Sequence, residues 1–345
     1  MNANKLIVLH AAFFYLLAWS GHAFSAEQSC ELCKAVKSNN IEAAKALAKD
    51  KQKLNELDDK EIWPLFIAVS KENNAMVQLL IDAGADVDQT VNGMSALIAT
   101  VMSNKPAMTK VLIAAGANPN IQSMPQKFNA IHLAVGHGRL EVLKELLKSD
   151  VDLELEAEQG FTALSGAAAK ENKDIVRLLL GAGANPNHFD AENFNAMHFA
   201  AMSNDISLVD LLIKHGGDIN AQKNNGPTPL SSAASTKKNT QMIEALIARK
   251  ADVSQVGEGL TALHASVANG GVNNLKALLK MGVDPDLPAD GFTALAFAVH
   301  LDNVSAVKEL LSYGADPKLM LGNGMSIIEL AADEPKILKL LKKGG

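Results

Sequence analysis

The 345-residue chain contains few tryptophans, tyrosines and cysteines, with two of each. Beyond position 26 only Trp63 and Tyr313 remain of the tryptophans and tyrosines. Aromatic platforms that stack bases are therefore not expected. An excess of basic charge is also missing, because the formal net charge is −6 at pH 7. Nucleic acids and anionic membrane surfaces, which attract basic proteins, are excluded as expected partners.

The common catalytic and phosphate-binding motifs are absent as well. The sequence has no Gly-rich phosphate loop, no His-Glu-x-x-His and no Gly-x-Ser-x-Gly. Ser235 and Lys238 form a Ser-x-x-Lys string, but its companion motifs are missing. We therefore predict that the protein is not an enzyme and needs neither a cofactor nor a metal ion.

Long apolar runs are confined to the N-terminal segment 1–26. There Lys5 is followed by an apolar run from Leu6 to Trp19 and then by small residues around Ala23 and Ala26. This order is typical of a cleaved secretory signal, and the run is shorter than the ~20 residues of a membrane span. Loss of Lys5 with the signal changes the net charge to −7. We expect a periplasmic or secreted monomer without membrane insertion.

What the sequence does contain is one short pattern repeated nine times along the chain. The copies follow one another at a period of about 33 residues, which indicates one supersecondary unit stacked many times. The nine copies begin at Trp63, Ser95, Asn129, Thr162, Asn195, Thr228, Thr261, Thr293 and Ser326.

The copy between residues 157 and 189 predicts a helix, a loop, a longer helix and a turn. Thr162 is placed to cap the first helix with its hydroxyl, and Gly183 follows the second helix, where a left-handed residue closes the last turn. Most copies have glycine at that closing position. Asp150 and Lys250 replace it in two copies, where we predict a distorted helix end.

The pattern resembles the ankyrin repeat, whose signature is Thr-Pro-Leu-His-x-Ala followed by Leu-Leu-x-x-Gly-Ala-Asp. Matching pieces are Ile131-His132-Leu133-Ala134, Met197-His198-Phe199-Ala200, Leu263-His264-Ala265 and the turn from Leu310 to Asp316. The resemblance covers roughly residues 30 to 345 and implies an all-α solenoid of nine helix-turn-helix repeats. It also implies that His132, His198 and His264 tie a helix start to the neighbouring repeat.

The predicted domain organisation has three parts. Residues 1–26 form the signal, residues 27–60 an N-terminal cap repeat, and residues 61–345 the ankyrin-repeat solenoid, with a C-terminal cap from about residue 322. Terminal repeats of such arrays need a polar outer face, and both ends of this chain are rich in lysine.

Cys30 and Cys33, the only cysteines, form a Cys-x-x-Cys sequence beside the predicted mature N-terminus. One interpretation is a small structural disulfide that holds the first helix. The other is a redox-active pair at a helix start, where a thiolate is favoured. Haem attachment would need histidine where Lys34 stands, and zinc would need two further ligands.

The residue just before each helix cap, which we call the pre-cap residue, is apolar in every copy. The nine are Ile62, Met94, Phe128, Phe161, Phe194, Pro227, Leu260, Phe292 and Met325. Either these side chains pack on their own or a neighbouring turn, or they form an exposed strip that grips a partner. The candidate partner-binding residues are Phe128, Phe161, Phe194, Leu260 and Phe292, with the polar neighbours Glu158, Gln159 and Glu192.

These observations predict a non-catalytic protein-protein interaction module of an exported compartment: a scaffold, an inhibitor or a protective accessory. It would bind a protein through the edge of the repeats and their concave face. The alternative is a thiol-disulfide redox protein that uses Cys30 and Cys33.

Overall fold

A computed structural model describes residues 30–91, 93–269 and 271–344. The predicted secretory signal, residues 1–26, lies outside the described residues, and the division into signal, cap and repeats stays a prediction. The chain divides into two compact units, residues 1–158 and 159–345.

The described part of the first unit consists of helices joined by short loops and one small hairpin. The helices are α1 (Glu31–Lys37), α2 (Ile41–Leu47), α3 (Pro64–Ser70), α4 (Asn74–Asp82), α5 (Ala96–Met102), α6 (Pro106–Ala114), α7 (Ala130–Gly136) and α8 (Leu140–Leu146). The hairpin pairs β1 (Thr90–Val91) antiparallel with β2 (Met94–Ser95), in the register Val91 to Met94. A 3₁₀ turn covers Lys53–Asn55, and another, Glu158–Gly160, spans the division between the units in sequence.

The second unit has the same construction. Its helices are α9 (Ala163–Ala169), α10 (Lys173–Gly181), α11 (Ala196–Met202), α12 (Ile206–Lys214), α13 (Pro229–Ser235), α14 (Thr240–Ala248), α15 (Ala262–Ala268), α16 (Val272–Lys280), α17 (Ala294–His300), α18 (Val304–Ser312), α19 (Ile327–Leu330) and α20 (Pro335–Gly344). The hairpin pairs β3 (Pro288–Ala289) antiparallel with β4 (Phe292–Thr293). The predicted all-α class is confirmed, since the strands are limited to these two-residue pairs within the described ranges.

Most repeats pair a seven-residue helix with a longer one, as the sequence predicts. In the repeat that begins at Thr162, α9 has seven residues and α10 nine. The apolar residues Leu164, Ile175 and Leu179 are buried between them. Inside each unit the first helices of consecutive repeats also pack on one another, as do α13 and α15. The core is therefore continuous from repeat to repeat within a unit. None of the helices in the described ranges is long and apolar enough to span a membrane.

The predicted helix caps are present at most positions. Thr162 and Thr228 each accept a hydrogen bond from the backbone N–H three residues later, and a serine hydroxyl completes both capping boxes. Thr261 differs, because its hydroxyl bonds the Nδ1 of His264 at 2.7 Å and makes no backbone cap. The side chain of Trp63 makes no capping hydrogen bond to the start of α3, and Pro64 follows it at the first helical position.

The prediction of distorted helix ends is wrong for Lys250 and fits Asp150. Lys250 adopts φ of +71°, and the N–H groups of Lys250 and Ala251 bond Ile247 and Leu246 as they do at the glycine positions. The surrounding turn therefore imposes the left-handed conformation at some cost in backbone strain. The helix before Asp150, α8, ends at Leu146 after seven residues, and the Val151 N–H bonds Ser149 at 2.9 Å.

The turns that follow the second helices are joined from one repeat to the next. In each case an Asn or Asp side chain of one repeat accepts a hydrogen bond from a backbone N–H of the following repeat. In the first unit the pairs are Asn55 with Asp86 at 2.9 Å, Asp88 with Asn118 at 2.7 Å and Asn120 with Asp152 at 2.9 Å. In the second unit they are Asn187 with Asp218 at 2.9 Å, Asn220 with Asp252 at 2.8 Å and Asp286 with Asp316 at 3.0 Å.

The C-terminal repeat is shorter than the others. Its first helix, α19, has only four residues, and Asp333 and Glu334 fill the loop before α20. Ile337 and Leu341 of α20 are buried, whereas its lysines are exposed. The final helix therefore covers the apolar side of the array and presents a charged side to water.

Candidate interaction surface

We call the loop that precedes each first helix a tip, and hydrogen bonds fix its backbone. At the tip of residues 257–260 the Gly257 N–H donates to the Leu260 carbonyl at 2.9 Å. At the tip of residues 321–325 the Leu321 N–H donates to the Met325 carbonyl at 2.8 Å. These carbonyls belong to the pre-cap residues Leu260 and Met325, so the backbone at both positions is held by the tip.

The pre-cap residues differ in exposure. Phe292 and Met325 are exposed, with 39% and 40% of their surface accessible, and Pro227 is buried. The remaining six, which include Phe128, Phe161, Phe194 and Leu260 among the candidate binding residues, are half-buried. The nine positions therefore do not form a uniformly exposed strip, and the most accessible part lies in the last two repeats.

Packing explains the half-buried phenylalanines of the second unit. The rings of Phe161 and Phe194 both lie against the ring of Phe199, with centroid separations of 5.8 and 5.9 Å. Phe194 also meets His198 edge to face at 5.3 Å. In the first unit Phe128 lies 6.1 Å from His132. Aromatic pairs at these distances stabilise a fold beyond the area that they bury.

The polar candidates lie at the surface. Glu158, Gln159 and Glu192 are exposed. Gln159 adopts φ of +64°, and its carbonyl accepts a hydrogen bond from the Ala191 N–H of the next tip at 2.9 Å. Successive tips are thus joined here through their backbones, and the three side chains are exposed.

Two buried aspartates, neither of them predicted as functional from the sequence, organise tips. Asp190 accepts hydrogen bonds from the N–H groups of Glu192 and Phe194, each at 2.9 Å. Asp58 does the same for Lys60 and Ile62. Burial raises the pKa of Asp58, but hydrogen bonds from Lys37 and from these N–H groups outweigh it and hold that pKa below its usual value. Each aspartate stands four residues before the pre-cap residue, and this spacing is the sequence signal from which its role could have been predicted.

Two of the repeating histidines, His198 and His264, tie the next tip to their own repeat, as the resemblance implies. The Nε2 of His198 donates to the Pro227 carbonyl at 2.9 Å, and its Nδ1 accepts from the Asn195 N–H at 3.2 Å. The Nε2 of His264 bonds the Phe292 carbonyl at 3.1 Å. Burial lowers the pKa of His198 to about 4, against the opposing effect of its bond to Pro227. Both imidazoles are therefore neutral positioning groups, and His264 fixes the backbone of the exposed Phe292.

The third histidine also serves its own helix start, because the Nδ1 of His132 lies 2.6 Å from the Oδ1 of Asn129. Across the described residues no group of three histidine, cysteine or acidic side chains could hold a metal ion.

Cys30 and Cys33 form a disulfide at the start of α1. Both residues are buried, with 2% and 1% of their surface accessible. The Sγ of Cys30 also caps α1 by accepting a hydrogen bond from the Cys33 N–H at 3.0 Å. The bridge thus closes the first turn of the first described helix and is shielded from solvent.

A family model described as ankyrin repeats (3 copies) matches this chain in overlapping segments: residues 32–123, 122–190, 167–256, 197–289 and 233–321. A B-cell lymphoma 3 protein homolog of Mus musculus is 32% identical over 188 residues, which cover 52% of this chain and 42% of that protein. The chain spans less than half the length of the first curated relatives.

Solved structures show the same fold. The ankyrin repeat domain of Bcl-3 has 30% sequence identity and a TM-score of 0.55, over 59% of this chain and 93% of that one. The human ASB11 ankyrin repeat domain has 24% identity and a TM-score of 0.54, over 62% and 97%.

Proposed function

The chain belongs to the ankyrin-repeat family, and we propose that it is a non-catalytic protein-binding module of an exported compartment. The observation that carries this proposal is the set of tips, whose backbones are fixed by hydrogen bonds while Phe292 and Met325 stand exposed on them. Rigid loops with accessible apolar side chains are suited to binding, because little conformational entropy is lost on contact. The scaffold, inhibitor and protective roles remain alternatives within this function.

Two features support export. The N-terminal segment 1–26 has the composition of a secretory signal, with Lys5 before an apolar run. The disulfide between Cys30 and Cys33 is of a kind that persists in oxidising compartments. Both features point to a periplasmic or secreted protein.

The burial of Cys30 and Cys33 argues against thiol-disulfide exchange as the function. An attacking thiolate must reach a sulfur along the line of the S–S bond, and reactive cysteines are at least partly exposed. With 2% and 1% of these two residues accessible, such an approach is blocked in the folded chain. A structural role for the disulfide fits this environment.

Two pre-cap phenylalanines of the second unit give a direct test, because one is exposed and the other packed. The tagged chain is used to capture proteins from an extract of exported proteins, in parallel with its Phe292→Ser and Phe194→Ser variants. We expect Phe292→Ser to lose a captured protein without a change in the free energy of unfolding. We expect Phe194→Ser to lower that free energy by about 2 kcal/mol, because it removes the contacts with Phe199.

The control is Leu301→Ser, a change at a residue of the second unit that is 44% exposed and follows the far end of α17. It should change neither capture nor the free energy of unfolding. Failure to capture any protein specifically would contradict the proposed function. Equal destabilisation by Phe292→Ser and Phe194→Ser would show that Phe292 too is a packing residue.

A further inference from the structure

Six of the large apolar side chains that are exposed in the described residues lie between residues 281 and 325. Three of them are on tips or directly beside one: Phe292, Met320 and Met325. Val256, beside the preceding tip, is also exposed at 36%. We name Val256, Phe292, Met320 and Met325 the C-terminal tip patch.

The members of this patch are carried by tips that stack on one another. The Gly322 N–H donates to the Gly291 carbonyl at 2.9 Å, which joins the last two tips through their backbones. Gly291 has φ of +80°, and a Cβ there would lie 3.1 Å from the Gly322 Cα, so glycine permits this close approach. Gly259 stands against the Asp290 side chain in the same way, so that the tip of residues 257–260 adjoins the tip that carries Phe292. The tips that carry the patch are therefore adjacent in three consecutive repeats.

Acidic residues outnumber basic ones in the three segments that carry the patch, and we call these acids the acidic rim. The segments 251–260, 283–293 and 315–326 contain a single basic residue, Lys318, and six acids: Asp252, Glu258, Asp284, Asp286, Asp290 and Asp316. All six except Asp286 are exposed, and Asp286 is half-buried. Burial raises the pKa of Asp286, and the charges of Asp284 and Asp316 add to this effect against the hydrogen bond from the Asp316 N–H.

We propose that the C-terminal tip patch binds a protein segment in which bulky apolar side chains are flanked by lysine or arginine. This inference rests on the proposed function and specifies its partner. The apolar patch supplies the buried centre of the interface, and the acidic rim supplies charge complementarity and faster association. Methionine side chains such as Met320 and Met325 adapt to different apolar anchors because they are unbranched and flexible.

The same charge distribution disfavours two other occupants. A symmetric dimer through this patch would place the acidic rim of one copy against that of the other, at a cost in repulsion. An anionic membrane surface would be repelled by the acids as well. A basic segment is the occupant that the charges favour.

The test selects a displayed library of random peptides against the full chain. Enriched peptides are expected to combine bulky apolar residues with lysine or arginine. For the most enriched peptide, affinity is then measured by fluorescence anisotropy. Phe292→Ser and Met325→Ser should each weaken binding about tenfold. A Glu258→Gln and Asp290→Asn double variant should weaken it about threefold and reduce its dependence on salt.

Matched controls lie in the same unit but away from the tips. Leu301, 44% exposed, and the exposed Asp302 follow the far end of α17, about 10 Å from its capped end. Leu301→Ser and Asp302→Asn should leave the affinity unchanged, and the unfolding midpoint of every variant is compared with that of the wild type.

Two outcomes would overturn this inference but not the protein-binding function. One is enrichment of acidic peptides, and the other is a peptide whose affinity is unchanged in Phe292→Ser and Met325→Ser. Self-association that Phe292→Ser abolishes would overturn it in favour of a dimer. No enriched peptide, together with no captured protein, would overturn both proposals.

Discussion

At the scale of single residues, the role of a repeated position depends on the side chains that surround it. Phe194 and Phe292 occupy the same pre-cap position, yet Phe194 lies against Phe199 and is half-buried, while Phe292 is exposed. The residue at the position of Phe199 in the repeat of Phe292 is Phe297, whose ring contacts His264 instead, at 5.8 Å. Identical residues in identical positions therefore need not share a role.

The buried His198 should make stability depend on pH. Its pKa is about 4 in the folded chain and near 6.5 when unfolded, so the unfolded state binds more protons between these values. The contribution of neutral His198 to the free energy of unfolding is complete above about pH 6.5 and is lost as the pH falls to about 4. We expect a loss of about 3 kcal/mol over that range. Urea unfolding of the wild type and of His198→Gln at pH 7 and pH 4 measures this difference.

The control for this prediction is His300→Gln, because His300 is exposed at the end of α17. It should keep the pH dependence of the wild type, whereas His198→Gln should flatten it. Some dependence will remain in His198→Gln, since burial also lowers the pKa of His264. An unchanged dependence in His198→Gln would mean that His198 is not held neutral by burial.

At the scale of helices and turns, the stacking of tips depends on close backbone approach. Gly257 lies against the Gly226 carbonyl of the preceding tip, and the Gln222 Nε2 would be 3.0 Å from a Cβ at residue 257. The pairing of Gly257 with Leu260 then closes the next tip. The φ of Gly257 is not in the left-handed region, so its backbone conformation does not require glycine. The close contact with the neighbouring tip does.

Gly257→Ala should therefore destabilise the second unit. The added Cβ would overlap the Gly226 carbonyl oxygen, and shifts of this kind cost about 1–3 kcal/mol. Gly181→Ala, at the last residue of α10, is the matched change, because a Cβ there meets nothing within 4 Å. It should be neutral or stabilising by up to about 1 kcal/mol. The thermal unfolding midpoints of Gly257→Ala and Gly181→Ala are compared. Similar midpoints would contradict the conclusion that the close approach of the tips requires glycine at residue 257.

Much of the architecture could be predicted from the sequence, because the period and the helix caps are local signals. Thr162, Gly183 and the histidine ties all have the predicted roles. The conformation of Lys250 was mispredicted, because the turn around it overrides the preference of the residue. The exposure of Phe292 could not be predicted, since it depends on side chains that reach it from other parts of the repeat.

At the scale of the whole molecule, stability in a repeat protein is a sum of local terms and contacts with neighbours. The Cys30–Cys33 disulfide lies at the N-terminal end of the described chain. The Sγ atoms of both cysteines lie 3.7 Å from the Glu56 carbonyl, and the Sγ of Cys33 is also 3.7 Å from the Ile62 carbonyl. The bridge therefore stabilises the cap and its contact with the first repeat, which begins at Trp63.

Removal of the disulfide should weaken the N-terminal cap selectively. A loop of so few residues contributes about 2 kcal/mol in the chain-entropy model, which corresponds to about 30-fold faster hydrogen exchange where opening is local. We expect this acceleration in α1 and α2 of the Cys30→Ser, Cys33→Ser double variant, with exchange in α13 and α15 unchanged. Trp63, which is buried, reports the same loosening by fluorescence. Uniform acceleration along the chain would show that the repeats unfold as one cooperative body.

The joined turns have a direction that matters while the chain is being made. In every pair, from Asn55 with Asp86 to Asp286 with Asp316, the accepting side chain belongs to the earlier repeat and the backbone N–H to the later one. The ties of His198 and His264 likewise join a side chain of the earlier repeat to the backbone of the later one. Since the N-terminal part of a chain is made first, each repeat follows one whose side chains are already in place to accept its backbone. Each repeat can thus dock on the repeat before it, so the array can be completed from its N-terminal end towards its C-terminal end.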